Sequence, residues 1–194
     1  MALPGIGMGV IKGAARLAKK ARKLFKLCSF EEGTQVTLCD GSSVPIEEIE
    51  VGDYVLSRDE EGGEQVCAPV EQVHRREVSE YYELTLVGPD GEVQTDRVTA
   101  EHPYRVQGAR GFVAVEYLEP GAVLQGADGL LQLTDSTLVQ RGAVVHNLTV
   151  RGTSTYFVGR LGAWVHNCKK VYRYLSPDDV LRLENGLSLV PKGT

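Results

Sequence analysis

The sequence has no long apolar run, and its apolar start has the wrong charge order for export. None of its apolar stretches approaches the ~18 residues that a membrane-spanning helix needs, so we expect no such helix. Residues 1–10 are apolar, but positive charges follow them rather than precede them. That order differs from a secretory signal peptide, and we therefore expect the chain to be cytoplasmic at synthesis.

Cysteine is scarce, with four residues in 194 and no Cys-x-x-Cys pair, which argues against a disulfide scaffold. We expect reduced thiols, with Cys39 and Cys67 as spectators; a regulatory disulfide between Cys28 and Cys39 is the alternative. A zinc site is a second alternative, with Cys28, Cys168, His102 and His166 as its ligands. These ligands lack the short spacings of a structural zinc site, so we expect neither a metal nor a cofactor.

Acidic residues are absent from residues 1–27, which carry seven Lys or Arg. Residues 168–194 carry five bases and three acids, and since the whole chain has a net charge of −5, residues 28–167 hold −14. This uneven charge predicts three parts: a basic upstream segment, 1–27, a central domain, 28–167, and a downstream segment, 168–194. The acidic centre argues against nucleic-acid binding. The basic arm is interpreted as a solvated helix face rather than a contact for nucleic acid or anionic membrane.

The spacing of apolar residues changes near residue 28. Residues 11–26 have apolar positions three and four apart with bases between them, which predicts a helix outside the central domain. From Thr34 to Val165, short β-type runs alternate with turn formers, which predicts an all-β domain. Helical turns are expected only near Pro45–Glu50 and Val115–Glu119. The clearest predicted strands are Gln35–Leu38, Tyr54–Ser57, Tyr82–Val87, Val93–Val98, Ala143–Val150, Thr155–Gly159 and Ala163–Val165.

The central domain contains an internal repeat at an offset of 69 residues. Val44, Glu47, Glu50 and Gly52 recur as Val113, Glu116, Glu119 and Gly121, and apolar positions between them match apolar ones. Chance recurrence of a common apolar-Glu-x-Gly turn is the alternative. A true repeat implies two similar halves related by pseudo-symmetry, with a shared cleft between them.

Nucleophilic side chains stand at both ends of the central domain. Cys28 lies where the basic helix stops, and Asn167-Cys168 lies where the β-type pattern stops. Cys28 can attack the carbonyl of Leu27 and convert an amide into a thioester. Asn167 can attack its own carbonyl and break the bond to Cys168. Both attacks are intramolecular, so positioning can supply a large share of the ~7–11 kcal/mol that an entropy trap provides.

Two histidines are candidates for the proton transfers that these attacks require, because histidine titrates near neutrality. His102 ends the segment Thr99-Ala-Glu-His, so it can protonate the Leu27–Cys28 amide nitrogen while Thr99 polarises the same bond. His166 adjoins Asn167 and can assist the downstream attack. His74 and His146 lie within β-type runs and are interpreted as structural.

In combination these segments resemble a HINT (Hedgehog/intein-type) domain, most closely the HINT modules of bacterial polymorphic toxins. The similar segments are Cys28-Ser-Phe-Glu-Glu-Gly-Thr34, Thr99-Ala-Glu-His-Pro-Tyr104, Asn147-Leu-Thr-Val150 and Val165-His-Asn-Cys168. The likeness spans residues 28–167 and implies the family's horseshoe-like fold of two pseudo-symmetric halves. Tyr172-Arg-Tyr174 loosely resembles the start of ADP-ribosyltransferase-like toxins. By that resemblance, residues 168–194 would be the start of a truncated toxin, and the chain would be exported as part of a larger one.

By that resemblance, Cys28 is the first nucleophile, activated by Thr99 and His102, and Cys168 is the acceptor of the upstream segment. The chain would then be a single-turnover, cis-acting autoprotease or protein-splicing element. Its partners would be its own flanking segments, and we expect a monomer. If every step runs, residues 1–27 become joined to residues 168–194; if the transfer fails, one or both ends are cleaved.

We call the Leu27–Cys28 bond and its surroundings the upstream seam, and the Asn167–Cys168 bond and its surroundings the downstream seam. At the downstream seam the resemblance gives His166 the role of assisting Asn167 cyclisation, but two nearby residues depart from the family pattern. Ser154 stands where members often carry a further histidine, and Asn147 stands where an acidic residue is often seen. A serine is no general acid near pH 7, so we expect slow Asn167 cyclisation. Upstream cleavage is therefore the expected main reaction, followed by downstream cleavage and then by complete splicing.

Two other functions remain open from the sequence. A cysteine hydrolase acting in trans would use Cys28 and His102 with an Asn as orienter, and it would turn over added substrate. An inactive β-module that tethers a toxin segment would keep its mass unchanged after incubation with a thiol.

Overall fold

Fourteen strands and two short 3-10 turns make up the secondary structure of the described residues. The computed structural model describes residues 28–60, 63–109 and 111–167. The strands are β1 (Phe30–Glu31), β2 (Gln35–Thr37), β3 (Ser43–Pro45), β4 (Tyr54–Arg58), β5 (Gln65–Val78), β6 (Tyr81–Val87), β7 (Val93–Val98), β8 (Pro103–Arg105), β9 (Phe112–Ala114), β10 (Val123–Gln125), β11 (Leu130–Val139), β12 (Ala143–Val150), β13 (Thr155–Val158) and β14 (Ala163–His166). The helix predicted over residues 11–26 and the proposed flanking segments, 1–27 and 168–194, lie outside these ranges.

The predicted all-β class is confirmed. Each of the seven predicted runs is a strand whose ends differ by at most one residue from the expectation. In β7 every second side chain is buried, which is the period that a strand with one covered face requires. The two predicted helical turns are the 3-10 turns η1 (Ile46–Glu48) and η2 (Val115–Tyr117).

The strands form two antiparallel sheets. The larger has the order β10-β11-β6-β7-β1-β12-β5-β4, and the smaller has the order β3-β2-β13-β14-β8-β9. Isolated bridges connect the two sheets, pairing Leu38 with Val55 and Val106 with Leu124. One cluster of buried apolar side chains takes members from both sheets, among them Phe30 and Tyr156. The two sheets therefore share a single core.

The internal repeat is visible as a repeated strand–turn–strand unit. Strand β3, turn η1 and the start of β4 recur as β9, η2 and the start of β10, each 69 residues later. Gly52 and Gly121 hold equivalent places, with φ angles of 102° and 99°, a conformation that favours glycine. Each donates its N–H across to the larger sheet, to the carbonyls of Val70 and Leu133 at 2.9 and 2.7 Å. The two halves are therefore built alike.

Both ends of the described domain are held by interior strands rather than by sheet edges. Strand β1 lies between β7 and β12, and β14 lies between β13 and β8. Cys28 is fully buried, and Asn167 is only 2% exposed. Both ends of the described domain are therefore fixed in the protein interior. Within the described ranges, no helix has the length and apolarity needed to cross a membrane.

The expectation that all cysteines are reduced thiols is wrong, because Cys39 and Cys67 form a disulfide with a Cα–Cα distance of 5.5 Å. Cys39 follows β2 and donates its N–H to the Tyr54 carbonyl on β4 at 3.4 Å. Cys67 lies on β5, opposite Leu56 of β4. Both cysteines therefore flank β4, although 28 residues separate them in sequence. The alternative pairing of Cys28 with Cys39 is excluded by the same bond.

Candidate active site

The upstream seam is held by paired hydrogen bonds between Ser29 and Thr99. The Ser29 N–H donates to Thr99 Oγ1 at 2.9 Å, and the Thr99 N–H donates to the Ser29 carbonyl at 2.9 Å. Because Thr99 Oγ1 accepts a backbone hydrogen bond, its own hydroxyl proton is directed elsewhere and can polarise a second group. Cys28 Sγ lies 3.2 Å from the Glu101 carbonyl oxygen, which a thiol can use as an acceptor. Cys28 and Thr99 thus lie together.

His102 is fully buried beside this seam. The backbone N–H of His102 donates to the Thr99 carbonyl at 3.1 Å and closes a tight turn. The ring centroid of His102 lies 4.2 Å from that of Phe30. Within the described part of the chain, neither ring nitrogen has a hydrogen-bond partner. Burial, and then the nearby His166, hold the pKa of His102 well below its usual value. The ring is therefore neutral at pH 7 and able to accept a proton.

A buried carboxyl group, which the sequence motifs do not include, binds a tyrosine that lies beside His102. Asp96 on β7 accepts hydrogen bonds from Tyr104 Oη at 2.8 Å and from Gln94 Nε2 at 2.7 Å. Burial raises the pKa of Asp96 to about 6, although both hydrogen bonds lower it. The Tyr104 ring centroid lies 6.2 Å from that of His102. The signal for Asp96 was its place in an alternating strand, on the face that also buries Val98.

The downstream seam lies beside the upstream one. Strand β14 pairs with β8 through Val165 and Tyr104, and His166 is close enough to His102 to affect its titration. Asn167 donates its N–H to the Ser154 carbonyl at 2.8 Å. Asn167 Oδ1 has no hydrogen-bond partner among the described residues. The predicted residues of both seams are thus brought together, except Cys168, which lies outside the described ranges.

The two departures from the family pattern are both buried. Ser154 is fully buried in a left-handed conformation with φ 57°, and its hydroxyl has no hydrogen-bond partner in the described ranges. Asn147 is 4% exposed and accepts a hydrogen bond from Tyr156 Oη at 2.8 Å. Asn147 therefore has a structural contact, whereas Ser154 adds only a short hydroxyl next to Asn167.

His166 has a charged partner that sequence reasoning missed. Its Nε2 lies 2.9 Å from Oε1 of Glu60, and its ring centroid lies 5.2 Å from that of Phe112. Glu60 comes 106 residues earlier, so nothing in the local sequence pointed to this pair. The other two histidines make contacts in the larger sheet, His74 with Thr149 at 2.9 Å and His146 with Glu32 at 3.2 Å.

A cavity of about 210 Å³ lies beside the upstream seam. It is bounded by the β5–β6 turn and by the turn from Thr99 to Glu101. Glu77, Glu80 and Glu101 are among its lining residues. Burial, and then the carboxylates of Glu116, Glu80 and Glu101, raise the pKa of Tyr82, which also lines the cavity. Arg76 also lines the cavity, so its rim has three carboxylates and one guanidinium and is acidic on balance.

The described residues contain no group of three or more His, Cys, Asp or Glu suited to a metal ion.

Cys28, like Cys39 and Cys67, is disulfide-bonded. Because only a thiolate is a nucleophile, any nucleophilic chemistry at Cys28 must start from its reduced form.

A family model matches the sequence, and several solved structures match the fold. The chain belongs to the pretoxin HINT family, whose model matches residues 36–168. The bacterial intein-like domain from Clostridium thermocellum is 32% identical, with a TM-score of 0.65 over 72% of this chain and 98% of that one. The DnaB intein from Synechocystis sp. PCC 6803 is 17% identical, with a TM-score of 0.60 over 73% and 99%. The TvoVMA intein is 16% identical, with a TM-score of 0.61 over 73% and 98%.

These matches confirm the HINT fold of two similar halves. At 17% and 16% identity, the two inteins show the fold alone. No curated protein matches the chain.

Proposed function

We propose that this chain processes itself in cis, by an N–S acyl shift at Leu27–Cys28 and by cyclisation of Asn167. The observation that carries the proposal is the convergence of the two seams. Cys28, Thr99 and His102 lie at the ends of β1, β7 and β8, and His166 and Asn167 lie at the end of β14, which pairs with β8. Groups held in this way react with the advantage of an intramolecular encounter.

In the upstream step, reduced Cys28 attacks the Leu27 carbonyl. The bond from Sγ to the carbonyl carbon forms, the amide bond breaks, and the Cys28 α-amine leaves. Neutral His102 takes the thiol proton and delivers it to the departing nitrogen, which a histidine protonated at pH 7 would not do. The Thr99 hydroxyl polarises the carbonyl during the attack. The products are a thioester and a free amine, with all protons accounted for.

In the downstream step, Asn167 Nδ2 attacks the Asn167 carbonyl carbon. The new carbon–nitrogen bond closes a succinimide, and the peptide bond to Cys168 breaks. One proton leaves Nδ2, and the departing Cys168 amine gains one; His166 is the adjacent group that can carry it. Ser154 supplies no imidazole here, so we expect this step to be slower than the upstream one.

The balance of these steps determines the product. If Cys168 attacks the thioester before water does, the flanking segments become joined; otherwise the chain is cleaved. The pretoxin family supports a role in releasing or rejoining segments of a toxin. A hydrolase acting in trans is less well supported, because Cys28 is fully buried and gives a separate substrate no approach.

Intact-mass measurement of freshly made protein under a phosphine reductant tests the proposal. We expect the wild type to split at Leu27–Cys28, with a slower split after Asn167. Cys28→Ala should abolish only the upstream split, and Asn167→Ala only the downstream split. The cleavage rate should not change with protein concentration, whereas a trans-acting hydrolase would cleave faster at higher concentration. A wild-type chain that stays intact at both seams would contradict self-processing.

A further inference from the structure

At the downstream end of the domain, where Ser154 replaces a histidine that family members often carry, Glu60 contacts His166, and this contact has no role in the steps described above. Glu60 Oε1 lies 2.9 Å from His166 Nε2, at the residue next to Asn167. The His166 side chain is 13% exposed and the Glu60 side chain is 51% exposed. The imidazole is therefore enclosed by protein, while the carboxylate reaches it from the surface.

The backbone holds Glu60 in this place through a chain of contacts. Thr155 pairs with His166 in the β13–β14 register. The Thr155 hydroxyl accepts from the Arg58 N–H at 3.3 Å and donates to the Arg58 carbonyl. The Ser57 hydroxyl donates to the Thr155 carbonyl at 2.7 Å. The end of β4 is thus fastened to the residue opposite His166, and Glu60 follows two residues later.

An aromatic ring also constrains the imidazole. The Phe112 ring packs against His166 with an interplanar angle of 57°. A ring held by an aromatic neighbour and by one hydrogen bond has little freedom to reorient. A carboxylate can only accept, so the contact places the proton of a neutral His166 ring on Nε2. Nδ1 is then the nitrogen with a free lone pair.

We propose that Glu60 is a positioning residue for His166, fixing its ring orientation and its Nε2–H tautomer so that Nδ1 serves the Asn167 reaction. This inference rests on the proposed downstream cleavage. In that step Nδ1 takes the proton from Asn167 Nδ2 and returns it to the departing Cys168 amine. Glu60 takes no proton itself and contacts neither reacting atom. It compensates in part for the imidazole that Ser154 does not provide.

Cleavage after Asn167 tests the proposal in a Cys28→Ala chain, where the upstream reaction is absent. Glu60→Ala should slow this cleavage by about 10-fold, a fraction of the ~10²–10⁴-fold that a positioned acid–base group contributes. Glu60→Asp should restore most of the rate, because it keeps the carboxylate. Glu71→Ala is the matched control, since Glu71 is an exposed carboxylate bonded to Arg151 at 2.7 Å, away from His166.

A spectroscopic measurement separates positioning from general stability. In a Cys28→Ala/Asn167→Ala chain, which cannot react, ¹⁵N NMR of the His166 ring should report the Nε2–H tautomer. Glu60→Ala should convert it to a mixture of tautomers without lowering the melting temperature. A rate or a tautomer that Glu60→Ala leaves unchanged would overturn the proposal. If the Cys28→Ala parent never cleaves after Asn167, the proposed downstream reaction fails, and the NMR result still decides the role of Glu60.

Discussion

At the scale of single residues, the titration of buried Asp96 makes the free energy of unfolding depend on pH. Burial raises its pKa in the folded protein to about 6, above the ordinary value of 3.8. The folded state therefore binds its proton at a higher pH than the unfolded state does. Stability is gained as the pH falls from 6 towards 3.8, and the ionised buried carboxylate is unfavourable above pH 6. At 1.36 kcal/mol per pKa unit, the full effect is about 3 kcal/mol.

Asp96→Asn should remove this dependence, since an amide keeps one acceptor for Gln94 and can donate to the Tyr104 oxygen. We expect the stability of the variant relative to wild type to fall by about 2.5 kcal/mol between pH 7.5 and pH 4, most of the full effect. Urea unfolding of both chains across this range measures the difference. The lowered pKa of His102 acts equally in both chains and cancels. A difference that does not change with pH would show that Asp96 keeps its ordinary titration in the fold.

At the scale of secondary-structure elements, the Cys39–Cys67 disulfide ties the β2–β3 turn to β5 across β4. A cross-link spanning 28 residues stabilises a fold by about 3–4 kcal/mol in the chain-entropy treatment. In a Cys28→Ala chain, which cannot cleave upstream, adding Cys39→Ala/Cys67→Ala should therefore lower the melting temperature by several degrees, and the phosphine-reduced Cys28→Ala chain should match it. Thermal unfolding measures the effect. Where Cys28 is retained, upstream cleavage well below the melting temperature should keep its wild-type rate, since neither cysteine contacts Thr99 or His102; a lost rate would assign the bond a part in catalysis.

The elements differ in how well the sequence predicts them. The clear strands, such as β7, show alternation because one face is covered by the core. Strand β5 was not among the named runs: most of its side chains are exposed, and Pro69 lies within it. Its pairing with β12 depends on contacts distant in sequence. The same limit applies to the site, because Thr99, His102 and Asn167 lie in local motifs, whereas Glu60 and the Cys39–Cys67 pair become neighbours only in the fold.

At the scale of the whole molecule, charge is distributed so that the upstream segment is basic and the domain is acidic. Cys28 contacts Glu101, which lines the acidic cavity. Because the basic segment is joined to the domain at Cys28, we expect the acidic residues of this cavity to attract its charges. Exposed charges attract weakly, and salt screens them.

We expect upstream cleavage to slow by about twofold to fourfold between roughly 0.05 and 0.5 M salt, as the basic segment is held less firmly. Replacing Lys19, Lys20, Lys23 and Lys26 by Gln should lower the rate at low salt and flatten the salt dependence. The cleavage rate in the full chain, followed by intact mass, measures both. If the wild type and the Gln variant respond alike to salt, charge attraction plays no part in placing the segment.

The measurement that tests self-processing most directly is interception of the thioester with hydroxylamine. The Leu27 carbonyl should leave as a hydroxamate in the wild type and in Asn167→Ala, with Cys28 as the new amino terminus of the larger fragment. Cys28→Ala should yield none, since no sulfur is available to form the ester. Mass spectrometry of residues 1–27 distinguishes the hydroxamate from a carboxylate. A wild-type chain treated with reductant and hydroxylamine that releases only a carboxylate, or remains whole, would contradict the acyl shift at Cys28.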